Sequence, residues 1–320
     1  MRIFLLAGLV CVLLNGCSSI PADRGSSVSE SLIAERSTVL KSASVSQTDT
    51  AQRTHELLSQ PLSADTAVQI ALLNQPRMRM WYADLGLAQA ELYDATRLAN
   101  PSFGFAQLSA EGVVTKTTLS VSQRITELLF LHFNSKMARA ELLQTQQRVA
   151  NEVLSLEAEV RAAYYQYVTA KMIADLRQQI AEASTASSQY AESLYAAGNI
   201  SVLQLSREQI AASESLVEQH RSVVEVENRY TMLLNALGIS RSEAAIRIDE
   251  RLPQPGELQF DIASLQAWAL SQRLDIAATR DALKAAQQRF NHTRHWRWLG
   301  NAEVGAERER DRGDAAAIGP

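Results

Sequence analysis

The chain has 320 residues, 46% of them hydrophobic and 21% charged, with a net charge of −4 and only 13 Gly and 7 Pro. That balance offers no basic surface for nucleic acid, and its wealth of Ala, Leu, Gln and Glu suits long helices. The two cysteines, Cys11 and Cys17, both lie near the start, which excludes disulfide or thiol chemistry from the body.

Met1-Arg2 is followed by the apolar run Ile3 to Leu14 and then by Asn15-Gly16-Cys17-Ser18-Ser19. A basic start and about a dozen apolar residues make a secretory signal, too short to span a bilayer as a mature helix. Leu14-Asn15-Gly16-Cys17 resembles a bacterial lipobox, which implies removal of residues 1–16 and acylation of Cys17. Ser18 after the cysteine resembles lipoproteins sorted to the outer membrane. Residues 17–60 are rich in Ser and Thr and read as a flexible, solvated tether, with a short helical piece around Ser31–Lys41.

From Ser63 to Leu98, Val68, Leu72, Met78, Leu85 and Leu92 mark one helical segment, capped by Ser63 and stopped by Pro101. The rhythm then changes to period two. Phe103 and Phe105 alternate with Ser102 and Gly104, and Thr117, Leu119 and Val121 alternate with Thr118, Ser120 and Ser122. Joined across Ser109-Ala110-Glu111-Gly112, these segments predict a β-hairpin. Apolar residues on one face and Ser, Thr or Gln on the other suit a membrane barrel strand and an ordinary sandwich strand equally.

A pair of very long amphipathic helices follows. If the first begins near Lys136 and runs to Ala197, it is about 90 Å long at 1.5 Å per residue. Its seam runs Val149, Val153, Leu156, Val160, Ala163, Tyr167, Ala170. After one short step it resumes as Ile173, Leu176, Ile180, Ala183, Ser187, Tyr190, Leu194, Ala197, and the short step reads as a stammer. The returning helix carries Val202, Leu205, Gln209, Ala212, Leu216, Gln219, Val223, Val226, Tyr230, Leu233 and Leu237. Between them, Gly198 suits a left-handed C′ position. Ser201 and Gln204 form a capping box, and Ile200 and Leu205 occupy the staple positions.

A second helix-to-strand passage covers residues 261–295 and then Ala302, Val304 and Ala306, alternating with Asn301, Glu303, Gly305 and Glu307. At an offset of 198 it repeats the first passage, with Ala269-Leu270 on Ala71-Leu72 and Ala286-Gln287 on Ala88-Gln89. Trp296 and Trp298 with Arg294 and Arg297 suit a membrane interface or a plain helix end. The i, i+3 pair His292 and His295 has no Cys or carboxylate cluster to complete a metal site. No phosphate loop, dinucleotide fingerprint or nucleophile motif is present. The expectation is therefore no enzyme and no cofactor.

The chain resembles the TolC-like outer-membrane efflux channels, and among them the lipid-anchored members of heavy-metal-type tripartite pumps. The resemblance rests on Val160-Arg161-Ala162-Ala163-Tyr164-Tyr165, on Ala197 through Leu205 at the turn, on Ser120-Val121-Ser122-Gln123 and on Leu234-Asn235-Ala236-Leu237-Gly238. It implies a mainly α fold with a small β part. Long helical hairpins would form a periplasmic tunnel, and strands would enter a shared trimeric outer-membrane barrel. It also implies a homotrimer, a periplasmic adaptor docking at Gly198, Asn199, Ile200 and Ser201, and an inner-membrane transporter that supplies the energy. Asn199 stands where many members carry a larger apolar residue, so adaptor preference is not carried over.

The first structural repeat is placed at 61–250 and the start of a second at 251–320, with a helix and one strand. By that repeat, about 115 residues of the family pattern have no counterpart. They comprise the fourth strand and the second long hairpin with its gate. The expectation is a fragment that does not conduct alone. Two alternatives stand beside the channel: a periplasmic adaptor, which should show β-rich halves flanking its hairpin, and a structural coiled-coil lipoprotein.

Overall fold

The computed structural model describes residues 21–37, 39, 50–98, 100–110, 113–241, 246–248, 252, 261–296, 302–311 and 317–319. The signal peptide, Cys17, Arg297 and Trp298 lie outside them. In chain order the elements are α1 (Ser26–Ala34), α2 (Thr50–Leu58), α3 (Ala64–Asn74), α4 (Pro76–Ala95), β1 (Ser102–Ala110) and β2 (Val113–Arg124). They continue as α5 (Ile125–Ala196), α6 (Val202–Leu237), α7 (Ile262–Gln272), α8 (Leu274–Trp296), β3 (Glu303–Asp311) and β4 (Ala317–Gly319). The fold is mainly α with one small sheet. It divides into two compact units, one of residues 1–29, 82–149 and 272–320, the other of residues 30–81 and 150–271.

The second unit holds the helical hairpin. Its core at the hairpin base is Leu62, Val68, Ile70, Leu156, Val160, Val168, Leu233 and Leu237, all almost fully buried. Each such side chain contributes about 1.5–3 kcal/mol relative to exposure. Leu62 is fixed twice at its backbone: its N–H donates to the Arg247 carbonyl at 2.7 Å and its carbonyl accepts from Tyr164 Oη at 3.0 Å. Ser63 starts α3 as predicted. Its hydroxyl accepts from the Thr66 N–H at 3.2 Å while its own N–H donates to Thr66 Oγ1 at 2.8 Å.

The single helix expected over Ser63–Leu98 is broken. Pro76 opens α4, and a residue before proline is pushed out of the α region, so Gln75 takes φ −65°, ψ 119° and ends α3. The second passage breaks at the equivalent place without a proline. Its helix α7 begins and ends 198 residues after α3, and α8 begins 198 residues after α4. The offset of 198 read from a few identities thus also separates these helix ends.

The freed Gln75 side chain is used at once. Its Nε2 donates to the carbonyls of Asn235 and Ala236, both at 3.1 Å. Those carbonyls belong to the last turn of α6, where no i+4 N–H of the helix reaches them. Gly238 completes that end in the left-handed region at φ 71°, with the Ile239 N–H reaching back to the Leu234 carbonyl at 3.2 Å.

The first unit holds the sheet. Its order is β1-β2-β3-β4, with every neighbour pair antiparallel. The predicted hairpin is β1 and β2, with Phe103 opposite Val121 and Phe105 opposite Leu119. β3 adds to β2 along Lys116–Arg124, and Ala302 locks the junction. Its carbonyl accepts from the Ile125 N–H at 3.0 Å and its N–H donates to Thr126 Oγ1 at 2.7 Å. Where the sequence suggested one strand in the second passage, β4 adds three residues paired to Glu307–Glu309 of β3.

Two expectations are corrected here. The first long helix begins at Ile125 rather than near Lys136, and so runs for 72 residues. The stretch read as a solvated tether carries two helices, α1 and α2, and the predicted piece at Ser31–Lys41 is displaced to Ser26–Ala34. The reason is size: Gly25, with φ 83°, and buried Ser29 are small enough to seat against α5. Ser29 Oγ donates to the Gln146 carbonyl at 3.2 Å, and Gln146 Nε2 donates to the Gly25 carbonyl at 2.8 Å.

In the same unit Gln147 Nε2 donates to Asp281 at 3.1 Å, joining α5 to α8. That bond, and then Lys284, hold the Asp281 carboxyl below the usual carboxylate range. His292 stacks on Phe133 at 3.6 Å and meets Phe130 edge-on at 4.7 Å. The imidazole is thus part of an aromatic cluster. Among the described residues no group of three or more His, Cys, Asp or Glu could hold a metal, and no helix is long and apolar enough to cross a membrane.

Candidate functional site: the hairpin tip and the two-faced sheet

At the tip, α5 ends through a pair of reversed bonds. The Gly198 N–H donates to the Tyr195 carbonyl and the Asn199 N–H to the Leu194 carbonyl, both at 2.9 Å. Gly198 adopts φ 74°, the left-handed conformation expected of it. Ser201 then starts α6. Its hydroxyl accepts from the Gln204 N–H at 3.3 Å, and Gln204 Oε1 accepts from the Ser201 N–H at 2.9 Å, so the capping box is closed in both directions. Gly198, Asn199 and Ser201 are exposed, while Ile200 and Leu205 are half-buried. Residues 196–205 contain no charged side chain. Ser201→Ala should destabilise the N-terminus of α6 by about 1 kcal/mol, seen as faster amide exchange at Val202–Leu205 with the rest of the hairpin unchanged.

The seam of the hairpin is only half as predicted. Val149, Val153, Leu156 and Val160 are buried, but Tyr164 and Val168 then take the place of Ala163 and Tyr167. Further out, Ile173, Leu176, Ile180 and Tyr190 are exposed, Tyr190 by 66%, and small Ala181, Ser188 and Ala191 are buried instead. A straight helix drifts about 20° per heptad from a strict 3.5 repeat. Steps of four at the base therefore carry the contact stripe off the larger side chains and onto the small ones.

On α6 only Ala212, Leu233 and Leu237 of the predicted seam are fully buried, and Val202, Leu216 and Val223 are exposed. Two polar pairs tie the thin outer half together. Ser187 Oγ donates to Glu208 at 2.9 Å and Gln209 Nε2 donates to Glu192 at 3.2 Å. What remains is a row at seven-residue spacing, Leu203, Ile210, Val217 and Val224, each 49–59% exposed. Sequence reading folded the hairpin on itself and missed this row, although its regular spacing is visible in the chain.

The sheet has the two faces that alternation predicted. Register puts Phe103, Phe105, Leu119, Val121, Val304 and Ala306 on one face, followed by Arg308 and Arg310. The other face carries Ser102, Thr118, Ser120, Ser122, Glu307, Glu309 and Asp311, with Lys116 in an ion pair with Glu309, and only Ala106 and Leu108 as apolar residues of β1 among them. Among the described residues nothing covers the apolar face: Phe103 is 74% exposed and Phe105 67%.

No protein-family model and no curated protein matches the sequence. Solved structures do match the fold. The outer-membrane channel OprN superimposes with a TM-score of 0.64 at 18% identity, over 83% of this chain and 64% of its own. The CmeC outer-membrane channel of Campylobacter jejuni gives 0.62 at 14% identity, over 80% and 60%. CusC, which undergoes conformational changes accompanying folding and transmembrane channel formation, gives 0.59 at 18% identity, over 80% and 63%. The chain has the fold of an outer-membrane channel. It spans under two thirds of the length of each of these proteins. Within that channel fold the helical hairpin and the two-faced sheet are the parts described above.

Proposed function

We propose that this chain is the outer-membrane channel component of a tripartite efflux system, a passive conduit rather than an enzyme. The observation that carries the reading is the joint presence of the channel fold and a sheet with one bare apolar face and one polar face. An exposed apolar sheet face is an aggregation hazard in water and an ordinary outer wall in a membrane barrel. The row Leu203, Ile210, Val217 and Val224 supports a homotrimer, because heptad spacing on an open face suits a neighbouring helix. The charge-free tip at Gly198, Asn199, Ile200 and Ser201 supports docking of a periplasmic adaptor by helix packing. In chain order, helices α3 and α4 and the single hairpin β1–β2 precede the long helices and α7 and α8 follow them, where an adaptor would carry tightly flanking β-rich halves, which favours the channel over the adaptor reading.

The finer assignments rest on the sequence. Cys17 is the lipid anchor, the tip joins an adaptor and through it an inner-membrane pump, and the heavy-metal-type branch follows from the resemblance at the turn. Deleting the gene should make cells sensitive to an exported metal or drug, and the protein should fractionate with the outer membrane as a trimer. Recovery in the inner membrane or the soluble periplasm would sink the reading. Cys17→Ser should abolish fatty-acid labelling, since anchoring depends on buried acyl chains at about 0.8 kcal/mol per CH₂. Label retained by that variant, or none on the wild type, would remove Cys17 as the anchor.

A further inference from the structure

We propose that Arg308 and Arg310 form a binding surface for anionic, phosphate-bearing lipid headgroups at the edge of the barrel's apolar band. The inference rests on the channel reading above and adds a ligand class to its outer wall. Strand β3 is sorted by charge: Glu303, Glu307, Glu309 and Asp311 lie on one face, and Val304, Ala306, Arg308 and Arg310 on the other. Register places Arg308 beside Leu119, in the row of Phe105 and opposite Ile318. Arg310 lies beside Thr117, in the row of Gln107. The two guanidinium groups therefore sit where the bare apolar face gives way to polar side chains.

Both arginines are exposed. Among the described residues neither has an ion-pair partner, although four acids occupy the same strand, because alternation aims those acids through the opposite face. An arginine in an apolar row lays its methylene stem along that surface and lifts its head to the boundary. A planar fork of N–H donors fits a phosphate oxygen pair.

Position selects the occupant. The helices α4, α5 and α8 all join the sheet at its Ser102, Arg124 and Glu303 end, while Arg308 and Arg310 lie toward the opposite end. A soluble protein partner would have to cover the phenylalanines as well. A lipid satisfies both halves of the surface, with chains on Phe103, Phe105 and Leu119 and a phosphate on the arginines.

The test uses the full-length channel reconstituted in phosphatidylcholine bilayers. Electron paramagnetic resonance reads the association of spin-labelled phosphatidylglycerol relative to spin-labelled phosphatidylcholine. Wild type should prefer the anionic lipid. R308Q/R310Q should lose about fivefold of that preference per arginine, the factor that corresponds to ~1 kcal/mol for a basic residue near an anionic surface. R308K/R310K should keep most of it, and high salt should weaken it by screening. K116Q, on the polar face, should leave it unchanged.

Equal association of both lipids with wild type overturns the proposal without any variant. So does a preference that survives R308Q/R310Q but vanishes in K116Q. Loss of the preference on adding millimolar inorganic phosphate would show a site for soluble phosphate rather than lipid, and would also overturn it. Failure of the protein to insert in bilayers at all would defeat the channel reading itself, which separates the two failures.

Discussion

Gly238→Ala should destabilise the hairpin unit by roughly 2–5 kcal/mol. Two independent effects add there. Gly238 sits at φ 71°, where an L side chain carries a penalty of about 1–2 kcal/mol. A Cβ at this position would also meet backbone: Gln75 Cα at 2.8 Å, and Asn74 C and Gln75 N at 2.9 Å. Backbone cannot rotate away as a side-chain tip can, so α3 or α6 must shift, and forcing extra volume into packed structure costs about 1–3 kcal/mol. The shift would also pull Gln75 from the Asn235 and Ala236 carbonyls that it serves. Urea unfolding followed by far-ultraviolet circular dichroism measures the effect. Gly198→Ala is the control, because nothing lies within 4 Å of its Cβ position and only the left-handed penalty remains. Equal losses from the two variants would mean that the approach of Gln75 to Gly238 contributes nothing.

If the chain is the channel component proposed above, Gly198→Val should impair efflux far more than it lowers the amount of channel in the outer membrane. A β-branched residue at φ 74° is strained by about 1–2 kcal/mol. The space around it is open, so the strain reshapes the turn without pushing on the packed base of the hairpin. The base core of Leu156, Val160, Leu233 and Leu237 should hold the fold. What changes is the presentation of Asn199, Ile200 and Ser201. Metal or drug tolerance, membrane abundance and in-cell crosslinking from Asn199→Cys to the adaptor are the readouts. With no charged group between residues 196 and 205, crosslinking in the wild type should vary little with salt. A parallel fall in abundance and tolerance would reduce the turn to a folding element. Normal tolerance with unchanged crosslinking would remove the tip as a docking surface.

Much of the fold was legible because the relevant physics is local. A cap needs one oxygen near the first free N–H groups, so Ser63 and Ser201 announced the starts of α3 and α6. A reversal needs a residue tolerant of positive φ, so Gly198 announced the tip. Period-two alternation announced β1 and β2 and the start of β3. The break at Pro76 obeys an equally local rule.

What only the tertiary structure decided is where one element lies against another. Several stripes of α5 have apolar residues at helical spacing. The drift between 3.6 and 3.5 residues per turn selects among them, over a length that no short window covers. That selection put Ala181, Ser188 and Ala191 inside and left Ile173, Leu176 and Tyr190 outside. The approach of Gln75 to Gly238, the seating of Ser29 on Gln146 and the pairing of β2 with β3 likewise join residues more than a hundred positions apart. Such contacts form when close backbone approach and paired donors outweigh the entropy of closing a long loop, and that balance belongs to the folded chain as a whole.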